Sequence, residues 1–400
     1  MKPNVPSTSA VFLTRIRLQN FRNFEDEIVA LPKGGAAVTG ANAQGKTNLL
    51  EAIYYLTMFR SFRGARDEQL VRFGADVLRV EARAGDDAGS ETTVAAAFQR
   101  GAGGGSAGSR GSAGLKRVSV NGATVPRLAD AVGRLPAVIF TGTDVEIVRG
   151  GPALRRRFLD VALSLARPTY LAALQRFRRA LSQRNECLRR GVGPAEVAAW
   201  DEAVALSGGA VCAERAAWVE RNREAFAEHY RAISGVAGAR LTYAPSARPE
   251  EPGDADAWSR AVTDALERSR ARDRTRRFTS AGPHRDDLRL HLERDDGTAM
   301  DVRTYGSGGE QRTAAIALRL TEVAWLREAL GREPIALLDD IFGELDHGRV
   351  RGILEWLGVR GAGQVILTAP APVDLAAVGR ELAPLVVEGG RIRSAVGAAP

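Results

Sequence analysis

Gly40-Ala41-Asn42-Ala43-Gln44-Gly45-Lys46-Thr47 is the stretch on which the reading of this chain turns, with an apolar AAVT (36–39) before it and NLLEAIYYL (48–56) after it. It has the form G-x-x-x-x-G-K-[ST], and it sits between a strand and the start of a helix, where a phosphate-binding loop has to sit. The glycines let backbone N–H groups wrap a β-phosphate, and the helix N-terminus adds its partial positive charge. Lys46 reaches the β and γ oxygens, and Thr47 offers a hydroxyl to Mg²⁺. Only 4 of the 56 cations are lysine, yet position 46 is one of them. A compact ammonium fits between phosphate oxygens where the planar guanidinium fork does not. The alternative, an ordinary glycine turn before a helix, explains neither the lysine nor the context. Residues Gly40 to Thr47 are therefore the expected ATP-binding set.

Downstream, the apolar strand 335–338 ends in Asp339 and Asp340, the form of a Walker B element. A buried strand of this kind delivers Asp339 to the metal, with Thr47, while Asp340 orients or deprotonates the attacking water as the catalytic carboxylate. Standing alone, two adjacent acids would read as a solvated turn; the loop at 40 changes that. Between the two lies Tyr305-Gly306-Ser307-Gly308-Gly309-Glu310-Gln311-Arg312, ahead of a helix that continues to about Leu330. Ser307 is a candidate N-cap, and Gly308 and Gly309 leave the first-turn N–H groups uncovered, which makes a second anion site.

Length and composition set the frame. The 400 residues, 44% hydrophobic and 26% charged, suit a chain of more than one part with at least one sizeable core. No apolar run approaches the roughly 18 residues of a membrane span, and the N-terminus lacks the apolar core of a secretory signal. Cys187 and Cys212 fit buried structural thiols in a reducing compartment, so a cytoplasmic location is expected, nucleoid-associated if the polyanionic partner suggested by the charge is DNA. The charge is +8 overall, and residues 151–280 hold 23 Arg against 16 acids, so that segment alone carries +7. The chain is expected to divide into an ATPase head (1–148), an inserted helical, Arg-rich arm (149–278) and the rest of the head (279–400). Strand and helix alternate from 310 to 368 with the rhythm of a parallel sheet. The Gly-rich segment 101–114 reads as a loop without direct function, and Asp295-Asp296-Gly297 as a hairpin turn.

Weaker signals stay open. Arg22, in the polar break of the first hairpin, suits either an approach to nucleotide or a solvated turn. His284-Arg285-Asp286-Asp287 suits either support of the ATP site or a structural turn. Arg268, Arg270, Arg272, Arg274, Arg276 and Arg277 are the candidate DNA contacts by charge, although such runs are also solvated faces. No aromatic stripe accompanies them, which favours sequence-independent backbone binding over base stacking.

Together, RIRLQNFRNF (15–24), GANAQGKTNLLEAIYYL (40–56), RSFR (60–63), GGPALRRRFLD (150–160), QRN (183–185), GPHRDDL (282–288) and LLDDIFGELD (337–346) resemble the RecF family of the ABC-ATPase superfamily. The resemblance implies an α/β fold, an ABC-type head with mixed sheets plus an inserted helical arm. It implies ATP and Mg²⁺ as cofactors and a site shared by an ATP-dependent homodimer, with Ser307, Gly308 and Gly309 acting in trans and Gly343-Glu344-Leu345-Asp346 as the D-loop. It also implies sequence-independent DNA binding in recombinational repair, slow hydrolysis, and RecR and RecO as partners. Three positions depart from common patterns: Glu310 stands where relatives often have Gln, Thr368-Ala369 where many ABC ATPases have a switch His, and Asp340 where most have Glu. The alternative is the ATPase subunit of a nuclease or helicase complex. A transporter subunit fits less well, given the charge and position of the arm.

Overall fold

A computed structural model describes residues 9–101, 114–251, 253–294, 297–341, 345, 347–360, 363–371 and 382–394. Most of the Gly-rich segment, the turn residues Asp295 and Asp296, and Gly343, Glu344 and Asp346 of the expected D-loop lie outside the described residues. The chain forms two compact units, residues 1–144 with 319–400, and residues 145–318.

The first unit contains β1 (Ser9–Phe21), β2 (Phe24–Ala30), β3 (Gly35–Thr39), helix α1 (Lys46–Met58), the short α2 (Asp67–Leu70), β4 (Val77–Asp86), β5 (Glu91–Gln99), β6 (Leu115–Val120), β7 (Ala123–Thr124) and β8 (Ala137–Thr141). One sheet runs β1-β4-β5-β6-β7 with all neighbours antiparallel, and β2 forms a hairpin with β1 that turns at Arg22-Asn23. Its strand β4 alternates buried and exposed residues, as a sheet with one solvated face requires.

The second unit begins with α3 (Val145–Arg149), α4 (Pro152–Ala166), α5 (Pro168–Arg190), α6 (Pro194–Ala198) and the long α7 (Asp201–Ser234), followed by β9 (Ala239–Ala244) and α8 (Ala255–Arg276). The helices pack closely because glycines sit at their crossings. A Cβ on Gly209 would lie 2.4 Å from the Ser259 amide nitrogen of α8, and one on Gly208 would lie 3.3 Å from the Phe177 ring of α5. Strands β10 (Asp287–Glu293) and β11 (Ala299–Asp301), the short α9 (Val302–Tyr305) and the start of α10 (Gly308–Leu330) complete it. This compact unit extends to Leu318, past the 278 at which the helical arm was expected to end. The reason is pairing, since β10 runs antiparallel to β9 from Asp287↔Ala244 to Leu292↔Ala239 and ties the following segment to the helical one.

Returning to the first unit, the chain adds β12 (Arg332–Glu333), which pairs with β1, then β13 (Ile335–Asp339), α11 (His347–Arg360), β14 (Val365–Ala369), β15 (Ala383–Glu388) and β16 (Arg391–Ser394). These build the second sheet, β16-β15-β3-β14-β13-β8, parallel throughout except for the β15–β16 edge. Its central strands β3, β13 and β14 are buried almost end to end, the mark of a parallel sheet covered on both faces. Leu50, Ile53 and Leu56 of α1 share one core with Leu13 and Ile16 of β1 and with Val38, Leu337 and Ile366 of the parallel strands. From Leu49 to Thr57 every α1 side chain is buried, which a helix with material on all sides demands.

The register brings four strand ends to one rim. Thr39 of β3 pairs with Ala369 of β14, and Asp339 of β13 with Thr141 of β8. Open α/β sheets bind ligands at this carboxyl-terminal edge.

Candidate nucleotide-binding site

Loop 40–47 leaves β3 at this rim and enters α1. Gly40 and Gly45 have φ of 145° and 119°, and a Cβ would fall 2.4 Å from the Val387 carbonyl oxygen at Gly40 and 2.6 Å from the Asn23 amide at Gly45. Both glycines are therefore required by conformation and by space. No side chain caps α1, whose N-cap is Gly45, so its first-turn amides are available to an anion. Asn23, in the β1–β2 turn, braces the loop. Its Nδ2 donates to the Gln44 carbonyl at 2.7 Å, and its Oδ1 accepts from Asn48 at 2.8 Å. Lys46 is 7% exposed and lies across the loop, with Nζ donating to the carbonyls of Gly40 at 2.7 Å and Ala41 at 3.0 Å.

The acids of β13 meet this loop. The Thr47 hydroxyl donates to Asp339 Oδ1 at 2.9 Å across 292 residues of sequence, and the Thr368 hydroxyl donates to the same oxygen at 3.0 Å. Burial pushes the Asp339 carboxyl above its ordinary range; the two hydroxyls pull it back, and the Asp340 charge adds to the rise. Asp340 has φ of 48°, its amide donates to Thr368 Oγ1 at 2.9 Å, and its Oδ1 is buried with no hydrogen-bond partner among the described residues. No group of three or more His, Cys, Asp or Glu side chains converges as a metal site among the described residues. The donors here are one hydroxyl and carboxylates, the set that Mg²⁺ takes beside phosphate oxygens, and the unpartnered Asp340 oxygen suits a water. The residues fit Mg²⁺ and a nucleotide.

Arg22 is held by an acid of α1. Its Nε and Nη2 donate to both oxygens of Glu51, at 2.8 and 2.9 Å, and Glu51 is fully buried on α1. Ser61 Oγ adds a third donor at 2.5 Å, and Arg63 lies 3.8 Å away. This cluster pins the first hairpin and the segment after α1 to the helix that carries Lys46. Sequence reasoning missed Glu51, although one acid inside LLEAIYYL signals a buried partner.

In the second unit Ser307 and Glu310 form a reciprocal cap at the start of α10. Ser307 Oγ accepts from the Glu310 amide at 3.2 Å, and Glu310 Oε2 accepts from the Ser307 amide at 2.7 Å. Burial opposes ionisation of Glu310, but the Ser307 amide and hydroxyl and Arg294, 3.1 Å away, hold its carboxyl below the usual range. Gln311 anchors the same turn by donating to the carbonyls of Val302 and Arg303 and accepting from Arg149 at 2.9 Å.

The family model for the RecF/RecN/SMC N-terminal domain matches residues 12–378. The DNA replication and repair protein RecF of Salinibacter ruber is 36% identical over 366 residues, covering 90% of this chain and 85% of that one. The RecF of an Anaeromyxobacter strain is 38% identical over 385 residues, covering 95% and 98%. The chain belongs to the RecF family. A solved structure of the recombination mediator protein RecF with ATP, in the RecFOR pathway, superposes with a TM-score of 0.84 at 29% identity, covering 96% of this chain and 98% of that one. An SMC head domain derived from Pyrococcus furiosus gives 0.54 at 15% identity and shares the fold alone.

The remaining RecF-like motifs form two buried networks in the second unit. Arg155 clasps both oxygens of Asp287 at 2.7 and 3.0 Å, Arg156 donates to the Asp286 carbonyl at 2.7 Å, and Arg215 joins Asp160 to the Pro283 carbonyl, both at 2.7 Å. GPALRRRFLD and GPHRDDL are thus two halves of one structural device. Arg184 of QRN, fully buried, donates to Asp201 at 2.7 Å and to Asp273 at 2.9 Å, and Asn185 accepts from the Thr279 amide at 2.8 Å.

The six candidate DNA-contacting arginines are all exposed. On α8, Arg268, Arg272 and Arg276 form one row and Arg270 and Arg274 another, flanking the buried seam of Leu266, Ser269 and Asp273; Arg277 is the C-cap. Arg270 lies 3.5 Å from Asp201, and Arg272 donates to Ser280 at 3.2 Å. Arg274 and Arg276 in the last turn also oppose the negative end of the helix, a structural reason for their place. No helix among the described residues is long and apolar enough to cross a membrane.

Proposed function

We propose that this chain is an ATP-dependent DNA clamp of recombinational repair, in which ATP joins two copies and slow hydrolysis releases them. The observation that carries the reading is the hydrogen bond between Thr47 and Asp339, with Asp340 next in the chain, at the end of a glycine-turned loop that opens an uncapped helix. Residues 40–46 would hold the phosphates, with Lys46 leaving the loop carbonyls for phosphate oxygens. Thr47 and Asp339 would hold Mg²⁺, which when bound offsets charge on the β- and γ-phosphates. Asp340, its buried oxygen lacking a partner among the described residues, would orient the attacking water. Ser307, Gly308 and Gly309 of the second copy would close the site over the γ-phosphate. The solved RecF relative is a complex with ATP and belongs to the RecFOR pathway, which supports ATP as nucleotide and RecR and RecO as partners.

The arm, positive by seven charges over 151–280, would follow the DNA backbone without reading its sequence. The test of the nucleotide site is Lys46→Ala, assayed by equilibrium binding of ATP. Loss of binding is expected, and wild-type affinity would remove the assignment.

A further inference from the structure

Thr368 stands one residue before the end of the site's central strand β14, with its side chain fully buried. A threonine there has one proton to give and two lone pairs. The proton goes to Asp339 Oδ1 at 3.0 Å, and a lone pair takes the Asp340 amide at 2.9 Å. One hydroxyl therefore touches both acids of the Walker B strand, the first through its carboxylate and the second through its backbone.

The second of those bonds has a conformational consequence. Successive side chains on a strand alternate faces, so an extended Asp340 would point its carboxylate away from the face chosen by Asp339. The backbone instead turns at Asp340 to φ of 48°, a left-handed conformation that is unfavourable for a residue other than glycine. The Thr368 lone pair holds the amide of that turn.

The first bond differs in origin from its twin. Asp339 Oδ1 receives two hydroxyls. Thr47 stands on the helix that opens at the phosphate loop, so its hydroxyl answers to nucleotide and metal. Thr368 stands on the sheet, beside β13 with Leu367 paired to Leu338, and not on the helix of the phosphate loop.

We propose that Thr368 is a positioning residue for hydrolysis: by bonding the Asp339 carboxylate and the Asp340 amide together, it sets the angle between the two acids. The inference rests on the ATPase reading above. Thr368 bonds the two acids and no residue of the phosphate loop among the described residues, so its loss is expected to show in the hydrolytic step and not in Mg²⁺-free ATP affinity.

The test is single-turnover hydrolysis of ATP by the full-length protein with duplex DNA present, beside equilibrium ATP binding without Mg²⁺. Thr368→Val keeps the shape and deletes the hydroxyl. The expected result is a fall in the hydrolysis rate of about 10–100-fold, the range for losing a group that orients a metal ligand, with KM and Mg²⁺-free binding unchanged. Thr368→Ser restores the hydroxyl and the rate. Thr368→Ala against Thr368→Ser makes the same comparison should the valine variant not fold. A Thr368→Val protein at the wild-type rate overturns the inference, as does a serine variant as slow as the valine or a defect carried entirely by KM. Lys46→Ala separates the two layers: if it hydrolyses ATP like wild type, the ATPase reading falls and the inference with it. If it is inactive while Thr368→Val is fully active, only the inference falls.

Discussion

Arg22→Ala is expected to destabilise the first unit while leaving nucleotide binding intact. Arg22 is 22% exposed at its side chain, Glu51 is 0% exposed, and two hydrogen bonds of 2.8 and 2.9 Å join them. Deleting the arginine leaves a buried carboxylate facing Ser61, with Arg63 at 3.8 Å too distant to replace a bidentate clasp. Removing one partner of a buried pair costs about 3–5 kcal/mol. Arg22 keeps some solvent and Ser61 keeps its bond, so the lower end, about 3 kcal/mol, is the better figure. At ~2–4 °C per kcal/mol for a unit of this size, Tm should fall by roughly 6–12 °C. The assay is thermal unfolding followed by circular dichroism, beside ATP titration well below the transition. The double variant with Glu51→Gln should recover part of the stability, because no uncompensated charge then remains. An unchanged Tm with weakened ATP binding would refute this reasoning and make Arg22 a nucleotide ligand.

Glu310→Gln keeps an oxygen acceptor for the Ser307 amide but removes a negative charge beside the proposed anion site. ATP-dependent association should strengthen by about 0.3–1 kcal/mol at low salt, the scale of a charge at a helix end, and weaker association by sedimentation would contradict it. The same carboxyl is held below its ordinary range when folded, so the cap contributes fully above the unfolded pKa of about 4.3. The contribution disappears as pH falls through the lower folded value, which a pH series of Tm against Glu310→Gln would read. Arg274→Glu with Arg276→Glu should lower DNA affinity equally for unrelated sequences and make the slope of log affinity against log salt shallower by about 1 for each phosphate no longer neutralised. An unaltered slope in fluorescence anisotropy would move DNA off α8.

What was legible in the sequence follows from how local each signal is. The loop 40–47 carries its own geometry, with glycines where φ is positive and an all-apolar strand before it, so strand, loop and helix could be placed together. Strands 335–338 and 364–368 were legible because a parallel strand buried on both faces is apolar throughout, and each differs from the structure by no more than one residue at an end. The order of the parallel sheet was not legible. Its neighbours β3 and β14 lie far apart in the chain, and no local pattern says which apolar runs pair. Strand β8 escaped notice for the same reason.

Around the site, Thr47 and Asp339 read as ligands of one metal, each from its own motif. Their hydrogen bond across 292 positions is a product of the sheet. Thr368 was visible only as a departure, since its significance lies in two partners on another strand. The motifs around Arg155 and Asp287 looked like two signatures because 132 residues separate them. Glu51 was the recoverable miss: a lone acid in the apolar run LLEAIYYL (49–56) requires a partner, and Arg22 was the open candidate.

The central claim, that ATP joins two copies through Ser307, is met most directly by molecular mass from sedimentation velocity, with and without Mg-ATP, on wild type, Lys46→Ala and Ser307→Arg. The account predicts a monomer without nucleotide and a dimer with Mg-ATP for wild type alone, while Ser307→Arg still binds ATP as a monomer. A Ser307→Arg protein that dimerises normally with ATP, or a wild type whose mass ignores the nucleotide, would contradict it.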